Sequence, residues 1–178
     1  MKMLMKKRIA KGFSLIEAIM VLGLSGVALT ATLLSSGSVQ DSSKAGNIIG
    51  GLNAIKSSVR EIYTNVPTYN GINVANLINT GEMPGNYTEG TVMVHDFGQG
   101  ILVASTAFSG IPDMAFTVTL VNIPDEVCAD LVVKTAMAAK IVTVGGSVVK
   151  ALNDVTLNTS NIVAQCTGAP KDIAYTYL

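Results

Sequence analysis

Residues 6–34 read KKRIAKGFSLIEAIMVLGLSGVALTATLL, and the organisation of the chain follows from how that stretch is understood. From Phe13 to Leu34 the run holds 22 residues, and Glu17 alone among them is charged. As a helix it would be about 33 Å long at roughly 1.5 Å per residue, enough to cross the hydrocarbon core of a bilayer. Lys2, Lys6, Lys7, Arg8 and Lys11 precede it with no acid among them. Such a flank stays cytoplasmic and places everything after Leu34 outside the cytoplasm. A secretory signal peptide shares the basic start, but its apolar core is about 7–15 residues long and leads to a cleavage site of small residues. A plain signal anchor has the right length and flank, yet gains nothing from an internal acid.

Glu17 therefore needs a reason. An acid in a bilayer costs on the order of 2.5–3.5 kcal/mol at the centre and less toward the edge, so it generally has a partner. The run itself supplies no cation. A cut after Gly12 would supply one, because the new α-amino group of Phe13 would lie four residues before Glu17 on the same helix face. Amine and carboxylate could then meet within one subunit or between neighbours in an assembly. The competing reading is that Glu17 snorkels to the interface.

KGFSLIE, residues 11–17, resembles the type IV prepilin signature: a short basic leader, a glycine, a hydrophobic first mature residue and a glutamate at the fifth. The resemblance implies that residues 1–12 are a leader and that a prepilin peptidase cuts between Gly12 and Phe13 and N-methylates Phe13. It also makes Glu17 the acid that recruits the subunit and sets its register in a filament. Minor pilins and type II secretion pseudopilins share this signature.

The helical pattern continues past the apolar run. Ile48, Leu52, Ile55, Val59 and Ile62 recur at spacings of four and three, one helix face seeking a core. Asp41, Lys44, Lys56 and Arg60 fall between them and can face solvent. Pro67 closes the run, which predicts a stalk helix over residues 13–66, about 80 Å if unbroken. Gly37, Gly46, Gly50 and Gly51 favour bends or local melting, at roughly 1 kcal/mol each relative to Ala. Residues 67–178 then read as a globular headgroup. A Gly/Pro/Asn-rich loop holds a short helix around Val74–Asn79. GTVMVHDFGQGILVAS forms a hairpin turning near Asp96–Gly100, and MAFTVTLVNI is a further strand. PDEVCADLVVKTAMAAK is a helix running to about Lys140, with Pro124 and two acids at its start. Strands flank Gly145–Gly146, and KDIAYTYL is a terminal strand.

Charge and cysteine content narrow the function. Beyond the five leader cations, seven of the 12 basic residues face all 12 acids, a net charge of −5. No basic patch for nucleic acid exists in that body. Cys128 and Cys166 are the only cysteines and both lie in the exported part, a compartment that favours a bridge between them. Closing a span of about 38 residues would be worth roughly 4 kcal/mol at most in the chain-entropy model. The alternatives are two free buried thiols, or a zinc site with His95 and Asp96 that lacks both a close cysteine pair and a second histidine. A Ser–His–Asp arrangement would depend wholly on His95, and no nucleophile-elbow motif surrounds any serine. His95–Asp96 reads as a solvated polar pair at the hairpin turn, and Tyr63 and Tyr69 read as packing residues. Asn86-Tyr87-Thr88 and Asn158-Thr159-Ser160 match a glycosylation pattern. No cofactor motif is present and no enzyme activity is expected.

The segment FTVTLVNIPDEVCADLV and the loop YNGINVANLINTGEMPGNY are similar to type IVb major pilins of the toxin-coregulated pilin and bundlin kind. That resemblance implies an α+β fold, with the long N-terminal helix packed on an antiparallel sheet and a disulfide-bounded region, residues 128–166. The 12-residue leader is short for type IVb, and Phe13 is the first residue more usual in type IVa. The function implied is a structural pilin that leaves the inner membrane and polymerises into a surface filament for adhesion, self-association or conjugative contact. Its partners would be further copies of itself, the prepilin peptidase, an inner-membrane assembly platform with its ATPase, and an outer-membrane secretin. The alternatives are a minor pilin or pseudopilin, and an anchored exported domain that does not polymerise.

Overall fold

The computed structural model of the chain describes residues 40–83 and 85–178. The leader, the apolar run, and with them Gly12, Phe13 and Glu17, lie outside the described residues. Residues 40–62 form helix α1. Its buried face is the one the spacing predicts: Ile48, Leu52, Ile55 and Val59 are each at most 3% exposed, and Ile62 packs partly buried against the same core. Each such side chain withdrawn from water contributes about 1.5–3 kcal/mol. The backbone ladder reaches the Tyr63 amide, which donates to the Val59 carbonyl. Thr64 and Val66 then bond only three residues back, and the Thr64 hydroxyl takes the Arg60 carbonyl. This tightened turn ends α1 short of the expected Val66, and Pro67 blocks continuation.

Helix α2 spans Val74–Asn79, where the loop composition places it, and Asn73 caps it by accepting from the Asn76 amide at 2.8 Å. A 3₁₀ turn at Gly85–Tyr87 follows. Seven strands then build one antiparallel sheet: β1 Thr88–Glu89, β2 Val92–Val94, β3 Gly100–Phe108, β4 Ile111–Ile123, β5 Ile141–Val144, β6 Ser147–Lys150 and β7 Lys171–Tyr177. The spatial order is β1-β2-β3-β4-β7-β5-β6, so the last strand enters the middle of the sheet. Strict alternation sorts its two faces. Val103, Phe116, Val118, Ile173 and Tyr175 face the helices and are buried. The opposite face has no charge across its centre, with Leu102, Thr119, Ala174 and Thr143 in register across four strands. One row further, the Thr117 and Thr176 hydroxyls bond at 3.1 Å.

Besides the earlier end of α1 and the added short strand β1, three elements differ from expectation. Strand β4 begins three residues early, because Ser109 and Gly110 adopt positive φ of 52° and 80° and make a tight turn whose twist matches the flanking strands. Helix α3, Asp125–Thr135, stops before Lys140 in a 3₁₀ turn, Ala136–Ala138. There the Lys140 amide donates to the Thr176 carbonyl and draws the chain into the sheet instead. Helix α4, Thr159–Cys166, is an addition: Asn158 caps it, and Ile162 and Cys166, four apart, point inward. Asp41–Leu178 is one compact unit that includes α1.

Candidate functional site

Two parts of this unit carry its distinctive chemistry: the grip on α1, and the span between the cysteines. The grip begins with a glycine. Tyr87, 6% exposed, lays its ring across α1 at Gly51 and donates its hydroxyl to the Asn47 carbonyl at 2.6 Å. A Cβ on residue 51 would lie 2.8 Å from Tyr87 Cζ, so only glycine admits the ring this closely. The neighbouring turn adds two contacts. The Asn47 side-chain Nδ2 donates to Asp96 Oδ2, and the Lys44 ammonium sits 5.1 Å from the centroid of the Phe97 ring.

At the other end of α1, Lys56 lies 5.3 Å from the Tyr177 ring centroid and Arg60 donates to the Leu178 carbonyl at 2.6 Å. The sequence pattern lets Lys44, Lys56 and Arg60 face solvent; Arg60 is exposed, while Lys44 and Lys56 are half-buried because their long stems bring the cationic heads back over aromatic rings. Burial, and secondarily Arg60, lowers the Lys56 pKa. Burial pushes the Tyr177 phenol up to about 12, with Arg60 working against the rise. Tyr63 and Tyr69 are packing residues as expected, with ring centroids 5.4 Å apart and Tyr69 in turn 4.9 Å from Phe116.

His95 corrects the expectation of a solvated pair. It is 2% exposed, and its Nε2 lies 2.8 Å from the Val121 carbonyl while Nδ1 accepts from the Phe97 amide at 3.3 Å. Those contacts require the neutral ring with its proton on Nε2. Burial lowers its pKa, against the raising effects of the Val121 bond and of Asp96.

Cys128 of α3 and Cys166 at the end of α4 are joined in a disulfide, and both are buried. The bridge removes both sulfurs from the zinc alternative. Within the span, the Thr135 hydroxyl donates to the Leu131 carbonyl and lies 2.9 Å from the Tyr175 hydroxyl; burial pushes the Tyr175 phenol upward. Buried Lys150 donates to the Lys140 carbonyl. Six of the 11 exposed large apolar side chains of the described residues fall between the cysteines: Val133, Met137, Val148, Leu152, Val155 and Val163. They are spread over α3, the 3₁₀ turn after it, β6, the loop that follows and α4. An open cavity of about 360 Å³ lies between β6 and α4, lined by Val148, Asp154, Thr156, Leu157 and Asn161 among others. It holds no cation. Among the described residues, no cluster of His, Cys, Asp or Glu is arranged to hold a metal ion, and no helix is long and apolar enough to cross a membrane.

The family model described as PilS N terminal matches residues 42–178. The major structural subunits of the bundle-forming pilus from Escherichia coli O127:H6 and from Escherichia coli O111:H- are each 29% identical over 134 residues. Each alignment covers 72% of this chain and 66% of the relative, just under two thirds of the relatives' length. Among solved structures, TcpA, a type IV pilin from Vibrio cholerae El Tor biotype, matches with a TM-score of 0.59 at 18% identity, over 78% of this chain and 99% of that one. A type IVb pilin from Salmonella typhi matches with a TM-score of 0.59 at 16% identity, over 74% and 98%. At those identities the structural likeness speaks to the fold, and the fold is that of type IV pilins.

Proposed function

The chain belongs to the PilS N-terminal family, and on that premise we propose that it is a type IVb-like pilin, a structural subunit that polymerises into a surface filament. One conjunction carries this reading: a pilin headgroup follows, in a single chain, a basic leader and the Gly12–Phe13–Glu17 signature. The curated relatives, named as major structural subunits of a pilus, support it.

On this reading a prepilin peptidase removes residues 1–12 and methylates the Phe13 amine. Glu17 pairs with that amine on a neighbouring subunit, and the charge pair is shielded from water by the apolar runs around it. An inner-membrane platform with its ATPase lifts the subunit from the membrane, and an outer-membrane secretin passes the filament. The headgroup needs no catalytic centre. Its work is to carry α1 and to present the exposed apolar side chains between Cys128 and Cys166 to neighbours.

Mass spectrometry of protein sheared from the cell surface tests the reading. The expected chain starts at N-methyl-Phe13 and is the dominant component of filaments. A cell-envelope protein that keeps Met1 and forms no polymer overturns it.

A further inference from the structure

We propose that the β2–β3 turn is an acid-released latch on α1, held shut by the neutral form of His95. Three contacts bind residues 44–51 of α1 to the headgroup on this side: Tyr87 on the Asn47 carbonyl and, through its ring, on Gly51, Asp96 on the Asn47 side-chain Nδ2, and Phe97 under Lys44. Two of the three belong to the turn, whose shape depends on His95. The His95 amide donates to the Gln99 carbonyl and the Gly98 amide returns to the His95 carbonyl. The imidazole fixes the rest, binding Val121 of β4 through Nε2 and receiving the Phe97 amide on Nδ1.

A second proton has only Nδ1 to go to. There it would face the Phe97 amide, donor against donor, in a site without solvent. The ring can be protonated only if the turn swings out, and Asp96 and Phe97 then leave α1 together. The charged groups around the ring do not prevent this. Asp96 on its own turn favours the imidazolium but is already engaged by Asn47. Lys44, across the Phe97 ring on α1, opposes it. Asp172 of β7 holds the Asn122 amide, one residue past Val121. Once the latch opens, α1 has glycines at 46, 50 and 51 to fray through.

The sign follows from linkage. The closed state prefers the neutral ring, so closure is at full strength above about pH 6.5 and weakens as pH falls below it. One proton gives at most tenfold more opening per pH unit well below 6.5, so up to about 15-fold between pH 6.5 and 5.0.

The test is hydrogen exchange on the untagged full chain in detergent micelles, with rates corrected for intrinsic pH dependence. Exchange over residues 41–50 and 92–98 should rise by up to that factor on acidification, while α3 stays protected. His95 is the only histidine of the chain, so its imidazole resonance can be titrated beside it without ambiguity. The two midpoints should coincide. His95→Gln should abolish the response and Asp96→Asn should retain it. A flat wild-type profile, non-coincident midpoints, or a response that survives His95→Gln overturns the proposal. Should His95→Gln fail to fold, the wild-type midpoints and Asp96→Asn still decide.

Discussion

Replacing Gly51 by alanine pits two known effects against each other. In an ordinary helix interior the change is favourable by about 0.5–1 kcal/mol, since alanine loses less backbone freedom. Here the new methyl would sit 2.8 Å and 2.9 Å from Cζ and Cε1 of Tyr87. A carbon pair prefers about 3.5–4.0 Å, so the ring must retreat by close to 1 Å. The ring is buried and its hydroxyl is tied to the Asn47 carbonyl at 2.6 Å, so retreat also threatens that bond. Overpacking costs about 1–3 kcal/mol and the bond about 1 kcal/mol, which outweighs the helix gain. Gly51→Ala should therefore destabilise by about 1–3 kcal/mol. In a Tyr87→Ala background the clash is gone, and the same change should stabilise by about 0.5–1 kcal/mol. Urea denaturation of the four chains of this cycle, in detergent micelles, measures both quantities. A stabilising Gly51→Ala in the presence of Tyr87, or the same value in both backgrounds, refutes the reasoning.

The other expectations are briefer. Cys128→Ser or Cys166→Ser should lower stability by up to about 4 kcal/mol, because a 38-residue separation is no longer closed in the unfolded chain; dithiothreitol should match the variants in wild type and leave the variants unchanged. Tyr177, with its phenol raised to about 12, favours folding below the usual value of 10 and stops doing so as pH climbs from there toward 12. Denaturation midpoints should fall across that window, and an equally steep fall in Tyr177→Phe would contradict this cause. Glu17→Ala and Glu17→Gln should leave cleavage at Gly12 and membrane insertion intact while filaments disappear; wild-type filament yields from both variants would make the carboxylate a bystander.

Much of the headgroup was legible because its elements carry one dominant pattern. Ile48 through Val59 repeat at helical spacing, and β4 and β7 alternate, so burial follows from periodicity alone. The errors fall where a single long-range contact overrides local preference. The Lys140 amide binds Thr176, which is 36 positions away, and this truncates α3. α4 is eight residues long, too short for a period to register, and its capping Asn158 was read as the start of a glycosylation pattern. His95 looked solvated because polarity and a turn position point outward; Val121, which draws it inward, is 26 residues distant. The partnership of Gly51 with Tyr87 was invisible for the same reason. A glycine in a helix signals weakness until the ring that requires it is placed.

The distribution of these contacts has a mechanical consequence. β7 lies between β4 and β5, while the disulfide ties α3 to α4, so the span between the cysteines is closed by backbone pairing on one side and by a covalent bond on the other. The sheet and its appended helices therefore have little freedom to yield. Helix α1 differs along its length. Around Ile55 and Val59 it is buried to 0% exposure and flanked by Lys56 and Arg60 on the terminal strand. Around residues 44–51 it has three glycines and depends on Tyr87, Asp96 and Phe97. A pull from the N-terminal end of α1 meets the second set first. Each glycine favours the unravelled state by roughly 1 kcal/mol, and the individual polar contacts there are worth about as much. The helix should thus give way between Gly46 and Gly51 well before the headgroup does, so that extension can be absorbed in α1 while the surface between Cys128 and Cys166 keeps its shape.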